Sequence, residues 1–329
     1  MKNSVTNNLL KMVGNTPMLE VTKLDTGKCR LFLKLENQNP GGSIKDRVGL
    51  MMIEEAERQG LLHPGDRIIE ATAGNTGLGL ALAAKMKGYK LTLIIPDKMS
   101  EEKLCHLESM GIEIVVTRSD VTKGHPDYYQ DLARSLAEKT GAYFINQFEN
   151  PANPLAHERT TAPEIYEQMN HDVDAIVVGA GSTGTLTGIS HFFMKLPDNK
   201  TKMILADPAG SVLADYVNSG QLHEVSGSWL VEGIGEDFIP KIADFSLTSK
   251  AYSITDEEAF NAAHDLLARE GILAGSSTGT LLAAALKYCR ESEVPRRVVT
   301  LVCDSGNKYL SKMYNKIWLN DHGITIKDF

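Results

Sequence analysis

A lysine at the end of a glycine turn is the first residue in this sequence whose setting implies chemistry. In Asn39-Pro40-Gly41-Gly42-Ser43-Ile44-Lys45-Asp46-Arg47 the turn runs into a helical pattern, so Lys45 feels the positive end of the helix dipole, which disfavours its ammonium form. A neutral amine is a nucleophile and a Schiff-base candidate. Taken alone, the segment fits better a solvated lysine followed by a surface Asp46–Arg47 pair.

Three further loops are rich in glycine and hydroxyl groups, each placed where a β-type run hands over to a helix. Thr72-Ala73-Gly74-Asn75-Thr76-Gly77 offers hydroxyls and free helix-start amides that suit a carboxylate, and equally suits a tight turn. Gly179-Ala180-Gly181-Ser182-Thr183-Gly184-Thr185 has the composition of a phosphate cradle. It is not a P-loop, since no lysine follows the last glycine, and the acidic partner of a dinucleotide fold is met only ambiguously by Asp207. Gly275-Ser276-Ser277-Thr278-Gly279 matches the serine-nucleophile pattern by letter. Such a site needs a downstream acid and then a histidine, and only His322 lies downstream.

Alternating strands and helices must hold these loops. The pattern predicts strands over Arg30–Glu36, Ile68–Ala71, Leu91–Ile95, Ile112–Thr117 and Tyr143–Asn146. Helices over Asp46–Gln59, Thr76–Lys87, Ser100–Met110 and Asp127–Lys139 separate them, stopped by Gly60, Gly88, Gly111 and Gly141. Pro151 and Pro154 then predict extended backbone, read as a passage between lobes. A second set follows, with strands over Ala175–Val178, Met203–Ala206 and Val298–Val302 and helices over His157–Met169, Thr185–Lys195, Asp256–Arg269 and Ser277–Cys289. Single-helix crossovers call for parallel strands, so the expected fold is α/β with two doubly wound lobes and a cleft between them. The expected division is a smaller lobe of residues 36–150 and a larger lobe of 1–35 with 151–329.

Composition agrees with an enzyme. The chain has 329 residues, more than one hydrophobic core usually fills, and its net charge of −8 with no basic run argues against a nucleic-acid surface. No apolar run reaches the ~18 residues of a membrane helix, and the polar start carries no secretion signal, so no membrane partner and a cytoplasmic location are expected. The four cysteines lack metal-type spacing and are read as reduced thiols, with no metal site expected.

Pro-Gly-Gly-Ser-Ile-Lys-Asp-Arg, Thr-Ala-Gly-Asn-Thr-Gly, the phosphate-type loop and Gly-Ser-Ser-Thr-Gly, in this order, resemble the pyridoxal-phosphate enzymes of the cystathionine β-synthase and cysteine synthase family, which have the tryptophan-synthase-β-like fold. The resemblance runs from about Val13 to Trp318. It implies pyridoxal 5'-phosphate in the cleft, bound to Lys45, with Asn75 on its ring oxygen and Ser277 at its pyridine nitrogen. Gly181, Ser182, Thr183, Gly184 and Thr185 would hold its phosphate; Thr183 departs from the commoner glycine there. Thr72, Ala73, Gly74, Thr76 and Gln147 would bind the substrate carboxylate, with Gly233 also at the substrate. A serine hydroxyl can donate to an unprotonated ring nitrogen, where an aspartate would keep it protonated and deepen the electron sink. A shallower sink suits β-elimination and replacement through an aminoacrylate.

Within the family, Glu232-Gly233-Ile234-Gly235-Glu236-Asp237-Phe238-Ile239-Pro240 and the segment Cys303–Lys312 resemble the cystathionine β-synthase form, since cysteine synthases usually have Gln for Glu232 and Gly for Asp237. Gln147-Phe148 and Pro151–Pro154 are shared with cysteine synthases. The expected reaction is β-replacement on L-serine or O-acetyl-L-serine with homocysteine, giving cystathionine; the alternative is cysteine synthase using sulfide. A binding protein without catalysis on the same fold and a nicotinamide dehydrogenase are more distant alternatives. A homodimer is implied, and neither haem nor a C-terminal regulatory module is expected.

Overall fold

The computed structural model describes residues 5–72, 74–97, 99–121, 124–222 and 227–327. Its strands are β1 (Met18–Glu20), β2 (Arg30–Lys34), β3 (Arg67–Ala71), β4 (Lys90–Pro96), β5 (Glu113–Thr117), β6 (Tyr143–Phe144), β7 (Ala175–Gly179), β8 (Lys202–Pro208), β9 (Thr248–Ile254) and β10 (Arg297–Leu301). Its helices are α1 (Lys45–Arg58), α2 (Asn75–Lys87), α3 (Glu101–Ser109), α4 (Tyr129–Thr140), α5 (Ala152–Ala156), α6 (Ala162–Gln168), α7 (Gly184–Met194), α8 (Leu213–Ser219), α9 (Asp256–Glu270), α10 (Ser276–Glu291) and α11 (Lys316–Asp321).

The strands form two sheets. One has six strands in the order β1-β2-β10-β7-β8-β9, parallel except for the edge strand β1, and the other has four parallel strands in the order β5-β4-β3-β6. Leu31, Ile176, Val177, Ile204, Leu205, Val298 and Val299 are fully buried in the larger core, and Ile68, Leu93 and Ile95 in the smaller. Strands covered on both faces read as continuous apolar runs, which is why they were visible in the sequence.

Strand order decides where a ligand can sit. From β3 the chain proceeds outward to β4 and β5 and then returns to β6 on the other side of β3. From β7 it proceeds to β8 and β9 and returns as β10 on the other side of β7. Each reversal opens a crevice beyond the carboxyl ends of the strands. The loops 72–76 and 147 leave β3 and β6 at the first crevice, and the loops 180–184 and 302–304 leave β7 and β10 at the second.

Helix α2 is buried nearly all round, from Thr76 to Ala84. It crosses α1 at two glycines: a Cβ on Gly49 would lie 2.4 Å from the carbonyl carbon of Gly79, and one on Gly79 would lie 2.3 Å from the carbonyl oxygen of Lys45. Close backbone approach thus sets the start of α1 against α2.

The passage at Pro151–Pro154 is helical, not extended. Pro151 is the N-cap of α5 and Pro154 its third residue, positions whose N–H groups have no partner within a helix in any case. The expected helix over His157–Met169 begins instead as a π-turn, His157–Thr161, before α6. The predicted strand Arg30–Glu36 ends at Lys34, and Tyr143–Asn146 shrinks to two residues because Asn146 turns into left-handed backbone at φ 53°. Strands β1 and β9 and helices α8 and α11 were not anticipated; three of these four lie at sheet edges or near the chain end, where apolar patterning is weak.

Candidate active site

The turn before Lys45 is held from inside. Gly42 has φ +76°, Asp46 Oδ2 accepts from the Gly41 N–H at 2.5 Å, and Gly41 has no room for a side chain because its Cβ would lie 2.6 Å from Asp46 Oδ1. Burial pushes the Asp46 carboxyl up to about 6. Arg47 is buried as well, bound through Nε and Nη2 to Glu36 at 2.7 and 2.8 Å and through Nη1 and Nη2 to Glu164 at 2.7 and 2.8 Å. Lys34 completes the group at 2.7 Å from Glu164. Asp46 and Arg47 therefore form no surface pair; they tie the first turn of α1 to β2 and α6. Lys45 itself is half-buried, and its amine makes no hydrogen bond or ion pair among the described residues. Burial is the main cause that lowers its pKa, partly opposed by Cys303 and Asp304.

The loop after β7 is an anion cradle by construction. Ser182, Thr183 and Thr185 are buried, and Thr183 is the N-cap of α7 in left-handed backbone, φ +67°. That conformation explains why glycine is common there, and Thr183 holds it with its hydroxyl donating to the Ser182 carbonyl at 2.6 Å. A Cβ on Gly184 would lie 2.0 Å from Asn153 Oδ1 and one on Gly181 2.8 Å from the Gly233 carbonyl oxygen. No side chain can enter the cradle at those positions. Beneath it, Asn153 Nδ2 donates to Ser182 Oγ at 2.9 Å and to the Gln147 carbonyl at 2.8 Å. His157, kept neutral by burial and by nearby Lys45 and Arg47, is 3.2 Å from Thr185 Oγ1 and 2.9 Å from Thr161 Oγ1.

At the other crevice, Thr72 Oγ1 accepts from the Gly74 N–H at 3.2 Å, Thr76 Oγ1 donates to Gln147 Oε1 at 2.8 Å, and Gln147 Nε2 donates to the Ala71 carbonyl at 3.3 Å. Ala73 lies outside the described residues. Glu70, fully buried below, has its carboxyl pushed up to about 8 by desolvation.

The two crevices meet at Asn75, Ser277 and the segment after β10. Asn75 Nδ2 donates to Asp304 Oδ2 at 2.7 Å, and Ser277 is buried beside Cys303, which also neighbours Lys45. Burial and Asp304 push the Cys303 thiol up to about 12. Ser277 has no histidine to activate it: His322 is stacked on Trp318 and bonded to its carbonyl. At the edge of this site Glu232 binds Lys103 at 2.5 Å and Lys312 at 2.7 Å, while exposed Asp237 lies on the same loop. Gly233, φ +85°, sets its carbonyl against Gly181.

Sequence reasoning missed Lys103, Asn153, His157, Asp304, Lys308 and Tyr309. The Cys303–Lys312 segment and Asn153, within Pro151–Pro154, had been noted only as lineage resemblances; no local signal marks Lys103 or His157.

A half-buried amine, an anion cradle at a helix start and a second hydroxyl-lined loop between two mainly parallel sheets are the parts of a site for a phosphate-bearing group that a lysine can hold. The residues fit pyridoxal phosphate, because the cradle admits no side chain of its own and the lysine amine is left without a partner. Residues 9–304 match the family model described as pyridoxal-phosphate dependent enzyme, and the chain belongs to that family. It is 41% identical to mouse (Mus musculus) cystathionine β-synthase over 96% of this chain and 56% of that protein. To cysteine synthase 1 of Emericella nidulans it is 37% identical, over 97% of this chain and 87% of the other. The chain thus spans little more than half the length of the mouse relative. Among solved structures, a hydrogen sulfide-producing enzyme from Fusobacterium nucleatum superposes with a TM-score of 0.83 at 36% identity, covering 93% of this chain and 100% of the other. The chain is a pyridoxal-phosphate-dependent enzyme of the cystathionine β-synthase and cysteine synthase kind.

Proposed function

We propose that this chain catalyses β-replacement on L-serine or O-acetyl-L-serine, with homocysteine as the incoming thiol and cystathionine as product. The observation that carries the reading is the Lys45 amine, whose pKa is lowered by burial and which has no ion-pair partner among the described residues. Pyridoxal phosphate, when bound, delocalises the electron pair left at the substrate Cα. Lys45 would hold the cofactor through its amine and, when that amine is free, would take the proton from the substrate Cα and pass a proton to the departing Cβ group. Gly181, Ser182, Thr183, Gly184 and Thr185 would hold the phosphate, Asn75 would offer an N–H to the ring oxygen, and Ser277 would offer its hydroxyl to the pyridine nitrogen. Thr72, Ala73, Gly74, Thr76 and Gln147 would hold the substrate carboxylate, with Gly233 also at the substrate. In this reading residues 36–150 act as one lobe against 1–35 and 151–329, and two copies of the chain form the working dimer.

Homocysteine is preferred to sulfide because of the charges near the mouth. Homocysteine brings a carboxylate and an ammonium that sulfide lacks. Glu232 is shared by two lysines, so the group of three carries a surplus positive charge, and Lys103 lies 3.8 Å from where a Cβ on Gly74 would be. Lys103 and Lys312 are the cations that meet the carboxylate of the second amino acid, and Glu232 holds them in place. The test is product analysis of the reconstituted enzyme with homocysteine and each first substrate in turn. Cystathionine from either supports the reading; turnover with sulfide and none with homocysteine would replace it by cysteine synthesis.

A further inference from the structure

Asn75 is gripped at both ends of its side-chain amide by groups that permit only one orientation. Its Nδ2 donates to Asp304 Oδ2 at 2.7 Å, and its Oδ1 accepts from Lys308 Nζ at 2.9 Å. A carboxylate only accepts and an ammonium only donates, so turning the amide over would set two N–H groups against the ammonium and a carbonyl against the carboxylate. Chemistry alone therefore decides which end of the amide is which.

Both clamps are themselves fixed. Asp304 is fully buried, and its Oδ2 also accepts from Tyr309 Oη at 2.7 Å while its Oδ1 has no partner. Gly275 leaves it room, since a Cβ there would lie 2.0 Å from Asp304 Oδ1, and the Gly275 N–H donates to the Asp304 carbonyl at 3.2 Å. Lys308 Nζ donates as well to the carbonyls of Gly41 and Gly42, at 3.3 and 3.2 Å, on the turn that leads into Lys45. A backbone bridge pairs Ser43 with Asp304. The segment after β10 thus joins the lysine turn to the start of α2.

We infer that Asp304 and Lys308 are positioning residues that lock the Asn75 amide, so that its second N–H is the group offered to the ring oxygen of the cofactor. The inference rests on the assignment of Asn75 to that oxygen. With either clamp removed, the amide can turn and present its carbonyl instead. A ring oxygen that loses its donor keeps its own proton more readily, and the visible absorption of the bound cofactor should lose intensity to a near-ultraviolet band.

The experiment records absorption spectra of the purified holoenzymes of Asp304→Asn, Lys308→Met and Asn75→Ala, and the free pyridoxal phosphate each needs for half-saturation. The expected result is a shift to the near-ultraviolet band in all three, with the cofactor requirement of Asp304→Asn and Lys308→Met raised roughly tenfold or more, the scale of one charge-assisted hydrogen bond. Unchanged spectra in Asp304→Asn and Lys308→Met beside a shifted Asn75→Ala would overturn the inference while leaving Asn75 at the ring oxygen. An unshifted Asn75→Ala would overturn both. Lys308 is partly exposed, so Lys308→Met decides the matter if the buried Asp304→Asn does not fold.

Discussion

Lys45 is placed by short-range features and readied by long-range ones. The glycine turn and the helix start are written in adjacent residues, and these were legible from sequence. The groups around its amine, Cys303 and Asp304, come from the far end of the chain, and no local pattern announces them. The same holds for Asn75, whose contact to Asp304 spans 229 positions. Glycines and hydroxyls have strong local meaning; a buried carboxylate acquires its meaning only from what folding brings to it. Burial lowers the pKa of the Lys45 amine, in the same direction as the helix dipole read from the sequence. Lys45→Ala should leave thermal unfolding of the cofactor-free chain within about 1 kcal/mol of the parent, because the amine makes no contact to lose. It should also abolish turnover and the covalent attachment of cofactor trapped by borohydride. Retained turnover without added amine would remove Lys45 from the catalytic role.

Elements carry function here through how closely they pack. Gly79→Ala puts a Cβ against the Lys45 carbonyl, and since that carbonyl is helix backbone and the Cβ is fixed to the backbone of α2, neither can swing aside. The expected result is a loss of about 1 to 3 kcal/mol of stability together with weaker cofactor retention, read by urea unfolding and dialysis. Loss of stability with cofactor retention intact would separate the helix crossing from the placement of Lys45. The prolines of α5 show why sequence misread this region: two prolines in four residues usually break a helix, but both fall where a helix start requires no donor. The π-turn that follows was invisible, since nothing in His157–Thr161 departs from a helical pattern. Under the carboxylate loop, Glu70 makes a pH prediction. Its carboxyl lies at about 8 in the fold against 4.5 in an open chain, so the folded state favours the proton. Its contribution to stability is complete below about pH 4.5 and is lost as pH rises to about 8. Glu70→Gln should flatten the pH dependence of the unfolding midpoint across that window and raise the midpoint above pH 8 relative to the parent. A parallel pair of curves would show that Glu70 is not protonated in the fold.

At the scale of the whole molecule, two mainly parallel sheets are set so that both of their reversals open on one cleft; the loops 72–76 and 180–184 and the segment 302–304 leave the carboxyl ends of strands, whereas the Ser277 loop, expected after a strand, joins α9 to α10. That much was legible in outline, because parallel strands and crossover helices have strong periodic signatures. The ties across the cleft were not. Lys103 on α3, Glu232 on the loop after α8 and Lys312 beyond β10 form one ion group, and Ser311 N–H donates to Glu102 at 2.9 Å beside it. Glu232, legible in the sequence only as a resemblance to one branch of the family, has its carboxylate taken up by two lysines. Replacing Glu232 by Gln and Asp237 by Gly should lower kcat/KM for homocysteine by roughly tenfold to a hundredfold, the scale of one charge-assisted contact, and lower that for sulfide less. Equal losses would point to loop folding. The most direct test is competition in a single vessel: the enzyme reconstituted with pyridoxal phosphate, O-acetyl-L-serine at a fixed concentration, and homocysteine and sulfide at equal concentrations, with both products quantified. The prediction is that cystathionine predominates and that the Glu232→Gln, Asp237→Gly variant shifts the products toward cysteine. Cysteine as the main product of the parent enzyme would contradict it.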